Sequence, residues 1–322
     1  MIRKLDALSL LAPAFLLVTM ACGFAQEFPS RSIRIVSSVG GGSEIVVRMI
    51  AERMSVTLGQ PIVVDPQSAA AGVMAANTVV RAPPDGYTLL MGTSNTHIYR
   101  PLTLKSILYD PVKDFTPISM LTQPTFVLVV NADLDIHDVP GFIAYARKTG
   151  KLLIGTPGVG GTAHTLLLAL HSHANFPYTS VPYKDDMAPV MGILAGELQA
   201  AVTTGSAAGR QMSSNRLRAI GVFHDARRPG FEEVKTISEQ LPGFRNLSGF
   251  GGMFGPAGMP PAVIARLNAA VVEALRYPEL REKILMFGSV PWPTTPEETA
   301  AVIRDELPRA RALLKEANIE PE

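Results

Sequence analysis

The stretch Ile33 to Ile50, IRIVSSVGGGSEIVVRMI, decides the fold. Ile33 and Ile35 alternate with Arg34 and Val36, which suits a strand that is at least partly buried, whereas Ile45, Val46, Met49 and Ile50 recur at helical spacing. Three consecutive glycines join the two patterns. Such a turn aims backbone N–H groups at one spot beside the positive end of a helix dipole, where an anion is favoured. A negatively charged ligand is therefore expected, with Ser38, Val39, Gly40, Gly41 and Ser43 as its contacts on this turn.

Outward from this stretch, apolar strands alternate with amphipathic helices: strand 33–36, helix 43–58, strand 61–65, helix 72–81, strand 87–92, and a helix from about Asn95. That order predicts a parallel, doubly wound α/β sheet. A second series begins near Pro140, with helix 140–149, strand 152–155, helix 162–173, strand 178–182, helix 186–195, and strands 198–203 and 217–223. Helices 260–276, 278–287 and 295–317 follow. Pro260-Pro261 marks one start, and Thr295-Pro296-Glu297-Glu298 is a capping box with proline in the first turn. Pro308 should kink or divide the last helix.

No low-complexity linker separates the halves, so they should be joined through strands. The expected crossings are QPTFVLVVN (123–131) and GFGGMFGP (249–256). The expected division is a leader at 1–25, one lobe from 26–128 plus 250–322, and a second lobe at 129–249.

Arg3 and Lys4, the apolar run Leu8 to Met20, and small residues ending at Ala25 read as a secretory signal peptide. A soluble, exported mature chain is expected. Cys22 is the only cysteine and falls inside the leader, which excludes a disulfide or a cysteine metal site in the mature protein. Lipidation of Cys22 is the alternative, but Thr19-Met20-Ala21 lacks the leucine usual three positions upstream. Removing Arg3, Lys4 and Asp6 from the 29 basic and 28 acidic residues leaves the two signs equal. Nucleic acid is thereby disfavoured as a partner, because its affinity comes from an excess of Lys and Arg on phosphates. The single Trp and the 13 Met read as core filling.

The second half repeats the opening device in LLIGTPGVGGTAHTLLLAL, a strand, a Gly-rich turn and a helix from Leu152 onward. Gly158, Val159, Gly160, Gly161, Thr162 and His164 are the candidates there. If the lobes face each other, both helix N-termini point into one cleft, where a carboxylate could accept several charge-assisted bonds. GTSNTH (92–97) is a third strand-to-helix turn and adds Thr93, Ser94 and Asn95 at the carboxyl end of a strand, where ligands of open α/β sheets lie. Ser43 and Thr162 also read as N-caps, and Glu44 as a partner of the helix dipole. His97 and His164 are expected to line the cleft. His164, His171 and His173 lack the spacing of a compact metal site, so neither metal nor cofactor is expected. Asp185-Asp186 reads as a solvated turn and helix start. G-x-S-x-G, H-E-x-x-H and G-x-x-x-x-G-K-[ST] are missing, and no nucleophile pairs with a base.

The chain resembles the Bug family, the TctC-type receptors of tripartite tricarboxylate transporters. The resemblance rests on residues 28–64, APPDGYTLLMGTSNTH (82–97), YDPVKDFTPIS (109–119), VPYK (181–184), LRAIGV (217–222) and GPAGMPPAVIARLNAAV (255–271). It implies a periplasmic, two-lobed, Venus-flytrap binding protein, monomeric, that closes on a small carboxylate held by main-chain amides of both turns, partly through water. It also implies membrane transporter subunits as partners. In the family the first turn usually reads P-F-x-P-G-G-x-x-D; here Ser37, Ser38 and Val39 precede the glycines and Glu44 replaces the Asp. Thr203 and Thr204 stand where many relatives have Asp and Asn, which places ammonium-bearing ligands in doubt. The competing readings are a ligand-sensing subunit for a membrane kinase and an enzyme acting on an acyl or phosphorylated substrate.

Overall fold

A computed structural model describes residues 28–212, 215–247 and 249–321. The leader expected at 1–25, with Cys22, lies outside the described residues.

The chain opens with β1 (Ile33–Ser37), α1 (Gly41–Leu58), β2 (Ile62–Pro66), α2 (Val73–Val80) and β3 (Thr88–Thr93). One π-helical turn, Asn95–Tyr99, then leads into the short α3 (Arg100–Thr103), and β4 (Phe115–Pro124) follows. The middle of the chain contains β5 (Phe126–Asn131), α4 (Val139–Thr149), β6 (Leu153–Pro157), α5 (Thr162–Ala174), β7 (Thr179–Tyr183), α6 (Ala188–Leu194), β8 (Ala200–Thr204), α7 (Gly205–Met212), β9 (Leu217–Val222) and α8 (Ile237–Gln240). The return supplies β10 (Gly251–Pro256), α9 (Pro261–Arg276), α10 (Pro278–Met286), β11 (Ser289–Pro291) and α11 (Pro296–Glu316).

These strands form two sheets, β11-β4-β10-β3-β1-β2 and β7-β6-β8-β5-β9, flanked by helices. Within each sheet the β-α-β units pair in parallel. The strands that carry the chain between sheets, and their neighbours, pair antiparallel. Each sheet is therefore mixed rather than mostly parallel, because a strand arriving from the other lobe needs no crossover helix. The first passage falls at Thr125, between β4 and β5, so residues 126–128 pair in the second sheet. β4, α7 and β11 lack clear sequence signals: β4 contains Pro117 and Pro124, α7 two glycines, and β11 only three residues.

Ile33 and Ile35 are fully buried and Arg34 is exposed, but Val36 is fully buried too, so the alternation holds only at the start of β1 and its end is buried on both faces. Met54, Met120 and Met253 fill core positions, but Met74, Met191 and Met286 are exposed and are not core filling. Trp292 packs at the edge of the core. α11 stays one helix through Pro308. Pro308 and Arg304 both face solvent, so water can satisfy the carbonyl that proline leaves without an N–H. α11 also ties the lobes together: its Ile303 and Ala310 share one apolar cluster with Tyr99 of the first lobe and Leu166 and Leu167 of the second.

Thr125 is fixed from both sides, its N–H donating to the Gly288 carbonyl (3.0 Å) and its carbonyl accepting from Gly205 N–H (2.7 Å). The buried Arg228 guanidinium clamps the same passage, reaching the Gln123 carbonyl at 2.7 Å and the Gln123 side-chain oxygen at 3.2 Å.

Candidate functional site

Both Gly-rich turns lie where a parallel strand meets a helix, but neither helix is capped by the residue expected. Gly40 is the N-cap of α1 and Gly161 that of α5, both in extended conformation and without a side-chain cap. Ser43 is thus the third residue of its helix and Thr162 the first. The glycines take the cap positions because they provide tight turns, and a residue with no side chain leaves the terminal N–H groups open. Glu44 accepts from Arg48 Nε at 2.8 Å one turn later, so it stabilises the helix surface as well as its dipole.

The third turn supplies what the second lacks. Asn95 Oδ1 accepts from Thr162 N–H at 3.1 Å and from Thr162 Oγ1 at 3.2 Å, and Ser94 Oγ lies 3.0 Å from Thr162 Oγ1. Asn95 of the first lobe therefore caps α5 of the second. Because β3 neighbours β1, and Ser38 N–H donates to Met91 O at 3.0 Å, this bond brings the second turn opposite the first. Replacing Asn95 by alanine removes two interlobe bonds, each worth about 0.5–1.5 kcal/mol net. Stability is expected to fall by about 1–3 kcal/mol in all; an unchanged midpoint in denaturant unfolding would refute this role.

Some amides of the second turn are already satisfied. Gly158 N–H donates to Tyr183 O at 2.7 Å, and Gly160 N–H to His164 Nδ1 at 3.1 Å. His164 is buried, which pushes its pKa down, and accepting the Gly160 N–H places the ring proton on Nε2. It shapes the turn. Among the described residues, the amides of Gly40 and Gly42 on the first turn and of Val159 and Gly161 on the second meet no intramolecular acceptor. These four donors stay open at the two turns.

The floor of the first turn is tightly built. A Cβ on Gly72 (φ +86°) would lie 2.5 Å from Ser38 Cβ, and Ser38 Oγ is buried with no hydrogen-bond partner. Ala70 and Ala71 sit beside it at φ 52° and 53°, left-handed positions that cost a non-glycine residue about 1–2 kcal/mol each. Val39, Ser43 and Thr93 line a small recess with Met91, Thr122 and Phe287.

His97 does not line the cleft. It is fully buried and stacks on Phe254 at 3.9 Å, and desolvation pushes its pKa down to about 3. The π-helical turn rotates it inward. Thr203 and Thr204 end β8; Thr203 Oγ1 donates to the Asp186 carbonyl at 2.6 Å, and Thr204 Oγ1 lies 3.1 Å from Ser206 Oγ. Asp185 lies in the turn ahead of α6, accepting from Met187 N–H and Ala188 N–H at 3.0 and 2.9 Å, but the helix itself starts at Ala188 with Met187 as its N-cap rather than at Asp185-Asp186. Asp186 is half-buried rather than fully solvated: burial first, then the neighbouring Asp185 charge, pushes its carboxyl up to about 6.

Comparison with known proteins agrees with this architecture. The chain is 30% identical over 323 residues to a UPF0065 protein of Bordetella bronchiseptica, covering 100% of this chain and 96% of that one. It superposes on Rhodopseudomonas palustris Rpa4515 with adipate at a TM-score of 0.82 and 27% identity, covering 92% of this chain and 100% of the other. MatC from the same organism, with bound malate, matches at 0.76 and 28% identity, covering 89% and 100%. Residues 46–319 match the tripartite tricarboxylate transporter family receptor, TctC, and the chain belongs to that family.

Proposed function

We propose that this protein is an exported receptor that closes on a small carboxylate and delivers it to the membrane subunits of a tripartite tricarboxylate transporter, carrying out no reaction of its own. The observation that carries this reading is the Asn95–Thr162 contact, which sets two amide-rich turns from different lobes against each other. The carboxylate accepts from Gly40 and Gly42 on one side and from Val159 and Gly161 on the other, with Ser38, Thr93, Ser94 and Thr204 as hydroxyl neighbours. Contacts from both lobes supply the differential affinity that a ligand needs to shift an open–closed equilibrium. The adipate and malate in related proteins support small carboxylates as the ligand class.

The test is thermal unfolding of residues 26–322, first unfolded and refolded to strip retained ligand, against mono-, di- and tricarboxylates and neutral sugars. A ligand at about 100 times its dissociation constant stabilises by about 2.7 kcal/mol, a rise of several degrees at this size. A rise with specific carboxylates is expected. A rise only with sugars, or none with any carboxylate, would overturn the reading.

A further inference from the structure

The recess beside the first Gly-rich turn differs in character from its mouth to its floor. Val39, Ser43 and Thr93 line it where the turn is half-buried or exposed. Val39 immediately precedes Gly40 and Ser43 immediately follows Gly42, so the two open amides of this turn lie along the rim. Below them the walls are apolar: Val46, Val47 and Ile50 of α1, Met91 of β3 and Leu121 of β4, all buried. An acid held by its carboxylate on the rim therefore has this recess next to the rest of its chain.

One wall belongs to the junction between the lobes. A Cβ on Gly42 would lie 3.4 Å from Phe287 Cδ1, so the half-buried Phe287 ring rests against the first turn of α1. The next residue, Gly288, is the one that approaches Ser206 of the second lobe and holds Thr125 at the passage between sheets. Pro124 and Phe250, which flank the two passages, line the recess as well. Its position is thus beside the contact between lobes, on the side where the turns meet.

The recess has a volume of about 60 Å³, and a water-sized group needs about 10–15 Å³ of such space, so it admits about four methylene-sized groups. Among the described residues, none that lines it carries a charge; its polar atoms are hydroxyl and main-chain groups. A carboxylate pushed into it would lose water and meet no cation, whereas each methylene buried there strengthens binding about fourfold. We propose that this recess takes the apolar tail of the bound acid, which makes monocarboxylates with about four carbons beyond the carboxyl group the preferred ligands over dicarboxylates of the same length. The assignment rests on the receptor reading above.

The experiment is titration calorimetry near neutral pH with the straight-chain monocarboxylates from acetate to octanoate, and with glutarate and adipate as the dicarboxylates matched to pentanoate and hexanoate. Wild-type affinity is expected to rise about fourfold per methylene as far as pentanoate and then to level off or fall, with pentanoate bound about tenfold or more tighter than glutarate. Val46→Phe, which fills the recess, should move the optimum to shorter acids. Phe287→Ala, which removes a wall, should move it to longer ones. Each variant is compared after cooperative unfolding shows that it is folded, and either shift suffices, because a general loosening of the site changes all affinities without moving the optimum. Wild-type affinity independent of chain length, glutarate bound as well as pentanoate, or an optimum unmoved in the folded variants overturns the assignment of the recess while leaving the receptor intact. Binding of no carboxylate by wild type overturns both.

Discussion

Replacing Gly288 by alanine is expected to cost about 2–5 kcal/mol, combining about 1–2 for a left-handed non-glycine residue with about 1–3 for forced overpacking. Gly288 has φ +70°, and a Cβ there would meet Ser206 backbone N at 2.6 Å and Cα at 3.0 Å. Backbone cannot swing aside as a flexible side chain would, so either the contact between lobes opens or the turn after α10 distorts. The same residue's carbonyl holds Thr125 at the passage between sheets, so the distortion reaches that passage directly. Gly258→Ala is the control: its φ is +86° but nothing lies within 4 Å of a Cβ, so only the conformational cost applies. Denaturant unfolding of both variants should show Gly288→Ala losing clearly more stability, with a fall in Tm of about 3–8 °C. Equal losses would mean that the Gly288–Ser206 approach carries no energetic weight.

The second large effect is acid destabilisation through His97. Thr96 Oγ1 donates to Thr93 O at 2.9 Å, so it accepts from His97 Nδ1–H, also at 2.9 Å, and Nε2 is left as an unprotonated, unpartnered atom. Protonating that atom would bury a cation between Phe254 and Phe115. The folded pKa is about 3 against an ordinary 6.5. The unfolded chain therefore binds a proton that the folded chain refuses, and stability is lost as pH falls from 6.5 toward 3. At about pH 4.5 the two-unit gap corresponds to about 3 kcal/mol.

Asp186 acts with the opposite sign in the same range. Its carboxyl is raised from 3.8 to about 6, so the folded state holds the extra proton and stability rises as pH falls through 6 toward 3.8. The wild-type pH profile thus mixes two opposing contributions, and only variants separate them. His97→Gln keeps a donor for Thr96 and removes the titration. It should lower stability near neutral pH, yet lose less than wild type between about pH 7 and 4.5. A parallel loss in both proteins would show that His97 is not excluded from protonation in the fold.

How much was legible in advance follows from the range over which each feature is encoded. The strand, turn and helix from Ile33 to Ile50 could be read locally, because alternation and helical periodicity record which side chains leave water and three glycines can only mark a turn. The capping box at Thr295 was legible for the same reason, and both of its reciprocal bonds are present. Ser43 and Thr162 looked like caps because they are hydroxyl residues before apolar runs, but each helix reaches back to its glycines. The inward rotation of His97 depends on a π-helical turn with no periodic signature.

The sequence by itself determined the α/β class, the order of elements, the family likeness and the three Gly- and hydroxyl-rich turns, since all of these depend on neighbours within a few residues. Only the tertiary structure decided which turns meet, which amides stay open, and that Asn95 caps a helix 67 residues away. It also decided that Asp186, which a local reading leaves in solvent, is half-buried with its carbonyl bonded to Thr203. Strand order sets those distances, and strand order is a property of the packed sheets rather than of any stretch of chain.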